Sequence, residues 1–459
     1  MFTKETYINR RARLKKDVGS GILLFLGNDD CPMNYAANAY HFRQDSTFLY
    51  FFGSNYAGLD AIIDIDADKE IIFGNELTVE DIVWMGPQPT IKEKSERVGI
   101  QHTQPVNDLA NYLKAAMAKG QKLHYLPPYR PEHQVKLFNL LNIPFANQAL
   151  SASVDFIKAI INQRNYKSAE EVEELHKAVL ITEEMHLTAM RMARPGMKEL
   201  DIAAAVTEVA LRHGGNLSFP VIATIRGETL HNHYYGNTLK EGDMFLLDTG
   251  AETANRYCGD LSSTIPVSKK FTDRQKTIYE IVLDSHLQAV AALKPGKPFR
   301  DVYYLACKVI GEGMKSLGLM KGDMEEAVSV GATALFFPCG LGHMLGMDTH
   351  DMENLGEVWV GYNGEPKSTR FGLKSLRLAR PLEPGFVFTV EPGIYMNPEL
   401  IDMWKAEKRF EQFINYNEVE KYKGFGGTRV EECFVITETG YRRLGNALPK
   451  KVADIEAIR

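Results

Sequence analysis

Cysteine is scarce in this 459-residue chain: five residues, Cys31, Cys258, Cys307, Cys339 and Cys433. They are odd in number, scattered, and form no CxxC pair. That argues against a disulfide framework and a zinc-thiolate centre, and it suits a reducing compartment. No apolar run reaches the ~18 residues that suggest a membrane span. The stretch Met1 to Lys16 lacks the apolar centre of a secretory signal. Basic residues are not in excess either: 53 Lys and Arg face 59 Asp and Glu, a formal net charge of −6. Nucleic-acid binders usually show the opposite balance. The one dense basic run, Arg10, Arg11, Arg13, Lys15 and Lys16, reads as the solvated face of an N-terminal helix. Internal repeats and low-complexity tracts are missing, so no long disordered tail is expected. Together these absences predict a cytoplasmic protein without nucleic-acid or membrane partners.

What is present is ordinary in bulk and specific in detail. Hydrophobic residues make up 44% and charged residues 24%, enough for a normal core. The length allows about three domains, or two of unequal size. In the first third, Gly21 to Leu26 reads as a buried strand. Ala61 to Ile65 and Glu70 to Phe73 read as a hairpin. Asn107 to Lys119 has helical periodicity with Gly120 as its stop. Ser168 and Glu171 match a capping box that opens a long helix through Met192, ended by Pro195-Gly196. The expected domains are therefore 1–165, an α/β domain with a mixed sheet, and 166–459, a second α/β (α+β) domain with a curved antiparallel sheet backed by helices.

The second domain gathers acids at the ends of apolar strands. Met244 to Asp248 ends in an acid, and Asp260 follows twelve positions later, before the strand-like Leu261 to Val267. Phe386 to Glu391 ends in another acid. Arg429 to Ile436 carries acids in its first half; period-two geometry puts Arg429 and Glu431 on one face and Glu432 on the other, and Glu431 is taken as the inward acid. A single acid at a strand end is usually a solvated turn residue. Four are harder to explain so, because buried carboxylates must be paired or bind metal. Cys339 to His350 is rich in glycine (Gly340, Gly342, Gly346) and holds His343 and His350; the glycines suggest close backbone approach. His231 and His233 precede the Asp248 strand. Carboxylates with one imidazole suit Mn²⁺, Co²⁺ or Zn²⁺. Four acids suit two ions that share carboxylates and lower the pKa of a water between them. The expected reaction class is metal-assisted hydrolysis.

The ordered set Asp248, Asp260, His343, Glu391 and Glu431 resembles the five metal ligands of the pita-bread metallopeptidases, which include methionine aminopeptidase, aminopeptidase P and prolidase. The flanks are similar as well: Asp260 to Pro266, Gly340 to Asp351, Leu382 to Tyr395, and Arg429-Val-Glu431. Tyr40 to Gly53 resembles the N-terminal domain of aminopeptidase P. The resemblance implies an Xaa-Pro aminopeptidase acting on small peptides with proline in second place, by hydroxide between two divalent ions, Mn²⁺ first among them. It implies a homodimer or homotetramer. It also implies roles. Asp248 and His343 would bind one ion each, and Asp260 and Glu431 would bridge. Glu391 would bind and serve as base. His350 would contact the substrate beside the scissile bond. Arg429 would orient Glu431 and line the proline pocket, and Tyr395 would stand beside the metals. His231, seventeen residues before Asp248, fits an additional active-site histidine better than His233. Trp84 is similar to a tryptophan that reaches a neighbouring subunit's site.

The chain departs from the family pattern in three places. Asp248 and Asp260 stand about one residue further apart than is common, which points to a longer turn at Glu252 to Cys258. Cys339 occupies the place of a usual histidine. Asn34 to Asn38 lacks an acid that some aminopeptidases P carry. Three rival readings stay open. The single Asp248-Thr-Gly250 resembles an aspartic-protease signature, but that chemistry needs two such aspartates. A pita-bread domain without activity would only bind peptides. Prolidase would cut dipeptides alone.

Overall fold

Five short runs from the first third of the chain build one mixed sheet. They are β1 (Ile22–Leu26), β2 (Asp60–Asp64), β3 (Lys69–Phe73), β4 (His102–Gln104) and β5 (Leu123–His124) in the order β4-β3-β2-β1-β5. β1 to β3 are antiparallel, while β4 and β5 join in parallel. The computed structural model describes residues 2–459. It divides into two units, Met1–Arg164 with Asn354–Trp359, and Asn165–Glu353 with Val360–Arg459.

In the first unit the aromatic run Ser46–Phe52 is a helix, capped by Asp45 and wholly buried. Phe25 of β1 meets Phe51, Phe52 and Phe156 with ring centroids 5.0–5.5 Å apart. The basic run does lie on a helix, Lys4–Val18, but Arg10 and Arg11 are not solvated. Arg11 is fully buried and donates to the Phe51 and Val98 carbonyls at 2.9 and 2.7 Å and to Glu70 at 2.7 Å. Arg10 donates to the Tyr50 carbonyl and stacks 3.7 Å from the Tyr50 ring centre. A guanidinium can be buried where carbonyls and a carboxylate take its donors, and these partners arrive from 40 to 87 residues away. Trp84 is 80% exposed, on a helix (Val79–Met85) with no buried residue.

The second unit opens as the capping box requires. Ser168 accepts from Glu171 N, Glu171 returns to Ser168 N, and the helix runs Ala169–Met192. Its strands are β6 (Asn216–Leu217), β7 (Ile222–Thr224), β8 (Met244–Thr249), β9 (Ala251–Glu252), β10 (Leu261–Pro266), β11 (Val387–Val390), β12 (Gly393–Tyr395), β13 (Gly427–Arg429), β14 (Glu432–Ile436) and β15 (Tyr441–Arg443). They form small antiparallel sheets: β10-β8-β7, β11-β14-β15, β12-β13 and β6-β9. The helix Ala169–Met192 packs on β8 to β10, and the helix Asp273–Ala291 on β11 to β13. The long turn after Asp248 is a hairpin, with Glu252 bridging Cys258 and Arg256 at φ 67°. The expected single strand Arg429 to Ile436 is two strands. β13 pairs with β12 and β14 with β11, and Val430-Glu431 is the changeover between partners. Among the described residues all five cysteines are free thiols, and no helix is long and apolar enough to cross a membrane.

Candidate metal centre

The sheets carry the acids to one place. Asp248 lies near the end of β8, opposite Ser262 of β10, and Asp260 stands one residue before β10 begins. Glu391 follows β11 directly. The loop with His343 runs along that strand: Thr389 N donates to the His343 carbonyl at 3.0 Å, and Glu391 N to that of Leu341 at 2.7 Å. Gly342 makes this approach possible, since a Cβ there would lie 2.0 Å from the Thr389 carbonyl oxygen. At the changeover between β13 and β14, Glu431 N donates to the Ser262 carbonyl at 3.1 Å, which turns its side chain toward Asp260.

Asp260, His343 and Glu431 offer ligand atoms that all lie within 4.8 Å of one another, and all three residues are buried. His343 Nε2 is 3.3 Å from Asp260 Oδ2 and 3.6 Å from Glu391 Oε1. Asp248 is held by Arg429 Nη2. The same guanidinium donates to Ser262 Oγ at 2.9 Å and Tyr395 Oη at 2.8 Å, and Ser262 donates onward to Glu431 at 2.7 Å. Arg429 thus holds Asp248 directly and Glu431 through a hydroxyl.

The electrostatics call for a cation. Burial pushes the Asp260 and Glu431 carboxyls well above the usual range. Asp248 and Glu391 add to this at Asp260; Asp260, Glu391 and Asp248 add to it at Glu431. Glu391 is raised by burial and by Asp248, against the pull of His343 and Arg429. Asp260 Oδ1 is buried without a hydrogen-bond partner. His343 Nδ1 bonds the Met344 carbonyl at 3.1 Å, and a carbonyl only accepts, so Nδ1 carries the proton. Burial holds the ring's pKa below its usual value. The neutral ring therefore turns the Nε2 lone pair toward two carboxylates. Lone pair facing carboxylates, an orphaned buried oxygen and four acids around one guanidinium all fit divalent metal.

His350, His231, Tyr395 and Cys339 lie beside this cluster. The His350 ring lies 4.4 Å from that of His343. Its Nδ1 bonds Glu353, which Arg377 also holds at 3.2 Å, and burial followed by His343 pushes its pKa down to about 4. His231 is exposed, and its pKa is lowered by displaced water and then by Arg429, with Asp248 and His350 also within its field. His233 instead bonds the Val221 carbonyl at 3.4 Å. Tyr395 is buried against Arg429. Cys339 Sγ lies 3.9 Å from Tyr395 Oη; burial and then Glu391 push its thiol up to about 12, so it stays protonated. Two further residues belong to the arrangement: Ser262, which links Arg429 to Glu431, and Glu353, which orients His350. Glu353 stands three residues after His350, across a turn closed by its N–H to the His350 carbonyl at 3.1 Å, a readable spacing. Ser262 meets its partners only across the sheet and has none.

Two family models match the chain: metallopeptidase family M24 over residues 173–438, and the aminopeptidase P N-terminal domain over residues 7–125. The chain belongs to metallopeptidase family M24. It is 31% identical to a human Xaa-Pro dipeptidase over 97% of this chain and 90% of that one. Among solved structures it is similar to proline aminopeptidase P II from Yersinia pestis, with TM-score 0.82, 27% identity, and 100% and 99% of the two chains covered. It is also similar to a zinc-substituted E. coli aminopeptidase P in complex with product, with TM-score 0.80, 26% identity, and 100% and 98% covered. The fold of this M24 protein is accordingly an N-terminal mixed-sheet domain followed by a pita-bread domain. The family implies divalent metal ions, and the donor set described above fits them.

Proposed function

We propose that this M24 protein is an Xaa-Pro aminopeptidase that releases the first residue from peptides with proline in second place. The observation that carries the reading is the convergence of Asp248, Asp260, His343, Glu391 and Glu431 beside His350, His231 and the Arg429–Tyr395 pair. Two divalent ions held by those five residues, Mn²⁺ first among candidates with Co²⁺ and Zn²⁺ behind it, would supply an acidified water and polarise the scissile carbonyl. Glu391 takes the proton of the attacking water. It returns that proton to the proline nitrogen, the leaving group. His350 shares its Nδ1 proton with Glu353, a carboxylate pushed down to about 2 by that bond first, so Nε2 is the atom free for the substrate. Arg429 keeps Asp248 and Glu431 in place and lines the proline pocket, and Tyr395, bonded to it at 2.8 Å, stands beside the metal centre. Match end to end with the aminopeptidase P from Yersinia pestis supports the choice of aminopeptidase.

A second reading, Xaa-Pro dipeptidase, draws support from the human relative. Hydrolysis of Ala-Pro beside Ala-Pro-Ala, with metal-stripped protein and with Mn²⁺ restored, separates the two. Metal-dependent cleavage of the tripeptide at its first bond is expected. Cleavage of the dipeptide alone would replace the proposal with the dipeptidase, and cleavage of neither would end both.

A further inference from the structure

Lys167 and Asp351 form an ion pair sealed inside the catalytic unit. Nζ and Oδ2 are 2.8 Å apart, and both side chains are 1% exposed. Two charges taken out of water gain little net stability over an apolar pair of similar size. Such a pair does impose direction, because a buried charge must keep a charged partner within reach.

Asp351 closes the loop that carries both histidines of the site. Its N–H donates to the Met344 carbonyl at 2.9 Å, so the residues directly after His343 and His350 are bonded to each other. Its Oδ1 accepts from Asp348 N at 3.4 Å. Its carboxylate lies so close to the loop that a Cβ on Gly346 would come within 2.3 Å of Oδ2. Lys167 is fixed in turn. It precedes the N-cap Ser168, and its N–H donates to the Gly385 carbonyl at 2.9 Å, at the approach to β11 and Glu391. The pair therefore joins the start of a long capped helix to the foot of the histidine loop. We infer that Lys167 and Asp351 are positioning residues, which set the spacing of His343 and His350 that the chemistry needs. This rests on the assignment of those histidines to the site.

The test uses the full chain as K167M, D351N and the double variant K167M/D351N, read by thermal unfolding, by kcat and KM on Ala-Pro-Ala, and by calorimetric titration of the metal-free protein with Mn²⁺. A single variant leaves a charge stranded and can fail to fold. The double variant removes both charges and should melt close to wild type. With positioning lost, its kcat and its Mn²⁺ affinity should each fall about tenfold or more, with KM little changed. A well-folded double variant with kcat and Mn²⁺ affinity near wild type would overturn the inference, because the pair would then serve stability alone. A K167M protein that folds and keeps both values would do the same. If wild type cleaves neither peptide, the functional reading has failed, and the Mn²⁺ titration still decides the positioning role.

Discussion

Glu431 and Glu432 are consecutive, both buried at 3% and 5% exposure, and their side chains leave the chain in opposite directions. Glu431 joins Asp260 and His343, within the field of Asp248 and Glu391. Glu432 meets Lys450 Nζ, Arg443 Nη1 at 3.4 Å and His286 Nε2 at 3.6 Å. One acid is placed among acids, and its neighbour among bases. The fold supplies its own counter-charge where the charge is structural. Around Glu431 one guanidinium, Arg429, faces four acids, which leaves an excess of negative charge for a cation.

The largest effect should come from the acid side. Glu391→Ala should lower peptide hydrolysis ~10³-fold or more while the protein stays folded; steady-state rates with a circular-dichroism spectrum check it, and full activity would remove Glu391 from its proposed role. A matched pair of variants sharpens the contrast. In chelator, Glu431→Gln should be at least as stable as wild type, because it relieves repulsion among buried acids. Glu432→Gln should lose about 1–3 kcal/mol, because it strips two part-exposed bases of their partner. Urea unfolding of both proteins measures the difference, and equal losses would dissolve the comparison.

The smallest effect is one of pH. His286, on the Glu432 side, is fully buried, and its pKa is pushed down to about 3, by burial first and then by Lys450 and Arg443. His186 is likewise buried and pushed down to about 4. The unfolded chain takes up these protons near pH 6.5, while the folded chain refuses them until far lower. The stability from each neutral ring is therefore present above ~6.5 and is lost as pH falls toward the folded values, roughly 1–2 kcal/mol per ring by pH 5. His286→Leu should unfold with a shallower dependence between pH 7 and pH 5 than wild type. An unchanged slope would show that His286 takes up its proton in the folded state.

Local features of this protein were readable because they depend on neighbours in the chain. The capping box at Ser168, the strands at 22–26, 244–249 and 261–266, and the order of the acids that end strands all follow from periodicity and short-range hydrogen bonding. Convergence of Asp260, His343 and Glu431 was legible too, through the family resemblance. The changeover at Val430-Glu431 was not, since it depends on β11 and β12, which begin some 40 residues earlier. Nor was the burial of Arg10 and Arg11 in a run that reads as a solvated face.

By itself, then, the order of residues determined most of the elements, the glycine that lets the His343 loop approach β11, and the kinds of donor atom available. Only the tertiary structure decided which charges meet. It paired Lys167 with Asp351 across 184 positions, set Ser262 between Arg429 and Glu431, and gave Glu432 its bases while leaving Glu431 among acids. The physical reason is range. Backbone conformation is chosen mostly by contacts a few residues apart, whereas strand pairing and the fate of a buried charge depend on whatever the rest of the fold brings within a few ångströms.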